Sequence, residues 1–115
     1  MHAVDVLIRM DVPPNYLGFS QTAYALALSI REPVRLQSVQ KWIYPQVAEV
    51  FNTGTMCVER NIRKISKFCW EESREAFFEV IGHPLARKPS SAKFLAYLIS
   101  GMFAERRREQ KPDGL

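Results

Sequence analysis

Proline and glycine cut this chain into helix-length pieces, and that punctuation limits its fold more than any other feature. Proline lacks the N–H a helix ladder needs, and glycine is a frequent helix terminator. Pro13-Pro14, Gly18, Pro33, Pro45, Gly82-His83-Pro84 and Pro89 mark the breaks. Between them apolar residues recur three and four positions apart, the period of a helix, and no stretch alternates convincingly with the two-residue period of a strand. The expectation is an all-α, compact multi-helix bundle of about six or seven helices. The chain has 115 residues, 47% hydrophobic and 24% charged, which is enough for one ordinary globular core. Residues 1–106 read as the helical domain and residues 107–115 as a basic, frayed tail.

Val4, Leu7 and Ile8 fit the buried stripe of a short first helix ending near Pro13-Pro14. Gly18 opens a second, alanine-rich helix with Tyr24, Leu26, Leu28 and Ile30, stopped by Pro33. A third helix carries Val34, Leu36, Val39, Trp42 and Ile43 up to Pro45, with Trp42 and Trp70 expected in the core. A short fourth helix runs from Pro45 to about Phe51. The turn Asn52-Thr53-Gly54-Thr55 follows, with Thr53 and Thr55 as candidate N-caps. The fifth and longest helix spans about 55–72, and a sixth lies near 74–81. Ser90 or Ser91 then caps a last helix with Phe94, Leu95, Leu98, Ile99 and Met102 on its apolar side.

Residues 45–70 carry the pattern of a helix-turn-helix. Such a motif needs a small residue where the second helix crosses the first, a tight turn, and apolar anchors that pin the second helix while its outer face enters a groove. Ala48 supplies the small residue, with Val47 and Phe51 as core partners, and residues 52–55 supply the turn. Val58, Ile62, Ile65 and Cys69 make one helical stripe. Glu59, Arg60, Arg63, Lys64 and Lys67 make a second, charged one on a recognition helix spanning about residues 55–71. Residues 53–70 carry a net +3, against a formal +4 for the whole chain, so the positive charge concentrates where a polyanion would dock.

That chemistry suits double-stranded DNA. An arginine fork matches guanine N7 and O6, and a carboxylate accepts from cytosine N4. Arg60 and Arg63 are therefore the expected base contacts, with Glu59 accepting from a cytosine or orienting an arginine. Lys64 and Lys67, further along the helix, are expected on phosphates, as are the hydroxyls of Thr53 and Thr55 beside the helix start. The bland alternative is a merely solvated charged face. A second alternative is a protein–protein interaction module that kept the fold and lost specific DNA recognition, which Met56-Cys57 at the tip of the recognition helix would suit.

Other classes fit less well. His2 and His83 have no partners that would form a catalytic site, and no serine or cysteine has a recognisable base. Cys57, Cys69 and His83 lack zinc-like spacing, so no metal and no cofactor is expected. On one helix the two cysteines stand roughly 18 Å apart, too far for a disulfide. Glu71, Glu72, Glu75 and Glu79 read as a solvated face with Arg74 in reach. No apolar run is long enough for a membrane span, and Met1–Asp5 does not open like a secretory signal, so the expected location is cytoplasmic.

Several segments also resemble a known family. Ile43-Tyr44-Pro45, Val47-Ala48, Phe51-Asn52-Thr53, Val58-Glu59-Arg60, Ile62-Arg63 and Trp70 resemble the C-terminal DNA-binding effector domain of the sporulation master response regulator of endospore-forming bacteria. Val12-Pro13, Gly18-Phe19 and Lys88-Pro89-Ser90-Ser91 with Phe94 extend the likeness over about residues 3–104. The resemblance implies sequence-specific transcription regulation, possession of a helix-turn-helix that binds short DNA boxes, and base reading by Glu59, Arg60 and Arg63. It also brings in a homodimer in tandem on DNA and RNA polymerase as partners. Cys57 stands where the family usually has arginine, and Lys64 where it has histidine. The family's receiver domain has no counterpart in these residues, so phosphorylation control is not carried over.

Overall fold

The computed structural model describes residues 2–110. Among them are seven α-helices and one 3-10 helix: α1 (Ala3–Arg9), α2 (Phe19–Arg31), the 3-10 segment Pro33–Gln37, α3 (Val39–Trp42), α4 (Tyr44–Val50), α5 (Thr55–Glu72), α6 (Arg74–Ile81) and α7 (Ser91–Gln110). The bundle is all-helical, as its periodicity requires. Helix α5 lies at the centre, in contact with α2, α4, α6 and α7. Leu7, Leu26, Ile43, Val47, Ile62, Ile65, Phe77, Phe94 and Leu98 are fully buried between these helices. Gly82 ends α6 in the left-handed region at φ 90°, where a side chain would be strained.

Four local expectations need correction. In α1, Leu7 is buried, but Val4 and Ile8 are 45% and 54% exposed. The buried stripe is Ala3, Val6, Leu7 and Met10. Two such stripes differ by about one residue's rotation, roughly 100°, and a seven-residue helix is too short for periodicity to choose between them.

The single third helix is two pieces. Ser38 adopts an extended backbone (φ −154°, ψ 91°) between the 3-10 segment and α3. Arg35 ties the pieces together, donating to the Trp42 carbonyl at 2.6 Å and pairing with Glu32 at 3.0 Å. The break turns Val34 and Trp42 outward, so Trp42 is 48% exposed rather than in the core. Trp70 is half-buried, packed edge-on against Phe78.

Neither threonine caps α5. Its N-cap is Gly54, with no side-chain hydrogen bond. Thr53 comes one residue too early, its amide bound to the Ala48 carbonyl at 2.9 Å, and Thr55 is already helical. At α7 it is Ser90 that caps, its Oγ accepting from the Lys93 amide at 3.2 Å.

Residues 107–110 of the expected tail are helical, since α7 continues to Gln110. Arg9 holds Glu105 at 2.9 Å, and Arg107 and Arg108 stand at the helix end where the backbone dipole favours cations. Residues 111–115 of that tail lie outside the described residues.

Candidate nucleic-acid interface

Helix α4 packs against α5, and its sequence explains why it can. Val47 is fully buried and Ala48 is 5% exposed, so a valine anchors the crossing and a single methyl leaves room beside it. Phe51 closes the helix with its ring edge on Tyr24, at a centroid distance of 6.0 Å. The chain then reverses at Asn52, whose φ is 52°. Asparagine is one of the few residues besides glycine that enters this left-handed region readily. Gly54 is extended (φ −93°, ψ 157°) and opens α5 rather than making the turn.

On the inner face of α5, Val58, Ile62, Ile65 and Cys69 are all fully buried. Two features absent from the sequence reading fix its pose. The buried Asn61 donates through Nδ2 to Gln21 Oε1 of α2 at 3.0 Å, a polar lock within an apolar contact. Gly18, the N-cap of α2, lies so close that a Cβ there would sit 2.9 Å from the Asn61 carbonyl carbon and closer still to its oxygen.

The outer face of α5 gathers the charge. At about 100° per residue, Glu59, Arg63, Lys67, Arg60 and Lys64 fall within an arc of about 140°. Arg60, Arg63, Lys64 and Lys67 are exposed and Glu59 is half-buried. Met56 falls inside the same arc at the first turn and is 80% exposed. Arg60, Lys64 and Lys67 have no ion pair among the described residues, so three cations face solvent. An open cleft of about 420 Å3 lies at the start of this face, lined by Thr55, Met56, Glu59, Arg60 and Arg63 of α5 together with Gln40 and Tyr44.

Glu59 is held from two sides. Its Oε2 accepts a 2.7 Å hydrogen bond from Ser91 Oγ, at the start of α7, and its Oε1 lies 3.6 Å from Arg63 Nη1. Tyr44, the first residue of α4, puts its buried hydroxyl beside them without a well-formed hydrogen bond of its own. Burial raises its pKa above the usual tyrosine value and the Glu59 carboxylate adds to this, with the Ser91 hydroxyl opposing. The phenol therefore stays protonated. Three separate helices thus converge on one carboxylate.

A family model described as the sporulation initiation factor Spo0A C terminal matches residues 3–102. The chain belongs to this family. The family is the DNA-binding C-terminal domain of a sporulation regulator and not an enzyme family. DNA binding in transcription regulation is accordingly the activity of this fold, and the charged arc of α5 carries a net +3. Among the described residues no helix is long and apolar enough to cross a membrane.

Glu59, Arg60, Arg63, Lys64 and Lys67 share one face of α5 as their spacing required. Thr55 opens that helix, while Thr53 is half-buried in the preceding turn. The acidic residues after Trp70 are exposed, but Arg74 turns away from them. It stacks 4.1 Å from the Trp70 ring and donates to the Trp70 carbonyl at 2.9 Å. Gln40, Tyr44 and Ser91 escaped sequence reasoning. Tyr44 and Ser91 lie within segments that carried the family resemblance, yet nothing in their spacing links them to Glu59.

Proposed function

We propose that α4 and α5 form a helix-turn-helix that inserts α5 into the major groove of duplex DNA and so regulates transcription of sporulation-related genes. The observation that carries this reading is the exposed cationic arc on a helix whose opposite face is entirely buried. Such a helix can present Arg60 and Arg63 to base edges without disturbing the core. Glu59 accepts from a cytosine or orients Arg63. Lys64 and Lys67 stand further from the helix start and contact phosphates, as do Thr53 and Thr55 beside the uncapped N–H groups of α5.

On this reading the chain works in the cytoplasm, two copies sit in tandem on DNA, and RNA polymerase is the protein partner. The exposed Met56 takes part in setting the preferred site, because it occupies the groove-facing tip.

Fluorescence anisotropy tests this, with a labelled duplex carrying the family's box, a scrambled duplex, and two salt concentrations. Box-selective binding that weakens steeply with salt is the expected result, because released counterions drive phosphate contacts. Salt-sensitive binding without selectivity would show that Met56 and Cys57 have altered the site, and a random-sequence selection would then define it. Absence of binding to either duplex would favour a protein-interaction module.

A further inference from the structure

The side chain of a glutamate has three torsions, and an ion pair four residues along a helix surface restrains it weakly, by only about 0.3–0.5 kcal/mol. Glu59 is 29% exposed at its side chain, and its Arg63 contact is a loose 3.6 Å. Left to that contact alone, the carboxylate would swing, and the Arg63 guanidinium with it. What removes this freedom is outside α5. Ser91 is 8% exposed, fixed as the first residue of α7, and its hydroxyl reaches Glu59 Oε2 at 2.7 Å. A hydroxyl donating to a carboxylate at this distance is a charge-assisted bond, stronger than a neutral one. The carboxylate also meets the positive end of a twenty-residue helix, which favours an anion there. One oxygen is thus occupied by the scaffold while the other faces the arginine.

We propose that Ser91 is a positioning residue for DNA sequence discrimination, fixing Glu59 and through it the Arg63 fork, from a site 32 positions downstream in the chain. The inference rests on the helix-turn-helix reading above. It makes the α7 N-terminus part of the specificity apparatus without any contact to a base.

The test uses the full chain as wild type, Ser91→Ala, Ser91→Thr, Glu59→Ala, and the double variant Ser91→Ala/Glu59→Ala. Wild-type protein first selects its preferred duplex from a random-sequence library. Every single-base-pair substitution of that duplex is then titrated by anisotropy competition. Ser91→Ala should lower discrimination about 3- to 10-fold, the worth of one hydrogen bond, at the base pairs where Arg63→Ala also lowers it. Other positions and the salt slope should stay near wild type. Ser91→Thr should restore discrimination, and Ser91→Ala should add nothing in the Glu59→Ala background, because coupled residues are not additive.

Wild-type discrimination at every position in Ser91→Ala, equal loss on all duplexes, or additive effects in the double variant would overturn the proposal. If Ser91→Ala fails to fold, Glu59→Asp replaces it, since the shorter side chain withdraws the carboxylate from Ser91. Unchanged discrimination in Glu59→Asp would overturn the proposal equally. A wild-type protein that selects no sequence at all would mark failure of the helix-turn-helix reading itself, a result distinct from any of these.

Discussion

Arg63 is exposed on the outer face of α5, and one end of its fork, Nη1, lies 3.6 Å from Glu59 Oε1. A guanidinium held in this way presents a fork whose two N–H groups match guanine, and lysine at the same place would not. Arg63→Ala should cost about 1–3 kcal/mol on the preferred duplex and little on a scrambled one, measured by anisotropy. Equal loss on both would make it a phosphate contact. The two cysteines give a second residue-scale prediction. Burial pushes the Cys69 thiol up to about 12, with the nearby Ser73 hydroxyl opposing, whereas Cys57 is only half-buried. Alkylation of the folded protein at pH 8, mapped by mass spectrometry, should label Cys57 and spare Cys69. Between the ordinary thiol value of 9.0 and about 12, the folded chain keeps a proton that the unfolded chain has lost. Stability should therefore fall as pH rises through that window. Cys69→Ala should remove that part of the decline in a pH series of melting curves.

Among the elements, the helices differ in how much of themselves they specify. Helix α5 has eighteen residues, enough for an amphipathic pattern to fix both its extent and its buried face. Helix α1 and the Pro33–Trp42 region have only a turn or two each, and there neighbours decide which side faces inward. The pose of α5 depends on its crossing with α2, where Gly18 meets the Asn61 carbonyl and Asn61 meets Gln21. The φ of Gly18 is −85°, so what requires glycine is proximity and not backbone conformation. Gly18→Ala should destabilise the domain by about 1–3 kcal/mol in denaturant unfolding, the usual penalty of overpacking. It should also weaken DNA binding by tilting the cationic arc. Wild-type stability in this variant would show that α2 and α5 can part without cost.

For the whole molecule, the question is how a domain of modest net charge engages a polyanion. The formal charge is +4, but it is not evenly spread: Arg60, Lys64 and Lys67, with no ion pair among the described residues, share the outer arc of α5, while Glu71 and Glu72 at its end and Glu75 and Glu79 in α6 are exposed. Such a distribution orients the approach as well as attracting it. On the proposed function Lys67 belongs to this long-range effect, being eleven residues beyond Met56 and so roughly 16 Å further along the helix. Lys67→Ala should weaken every duplex alike and reduce the slope of log affinity against log salt by about 1. A loss confined to one sequence would instead assign it to a base.

By itself the sequence determined the helical class, the extent of α2, α5 and α6, the buried stripe of α5 and the charged face opposite it. All of these follow from residues close together in the chain, where the 3.6-residue repeat and the proline breaks act directly. Only the tertiary structure decided which face of α1 is buried, that Trp42 points to solvent, and that α7 continues beyond Arg106. The tertiary structure also supplied the surroundings of Glu59. Ser91 bonds that carboxylate from 32 positions after it, and Tyr44, 15 positions before it, lies near enough to feel its charge; local periodicity carries no information about neighbours at such separations. The buried faces of α5 and α7 were legible because a helix places its own residues. The positioning of Glu59 was not, because it depends on three helices meeting at one point.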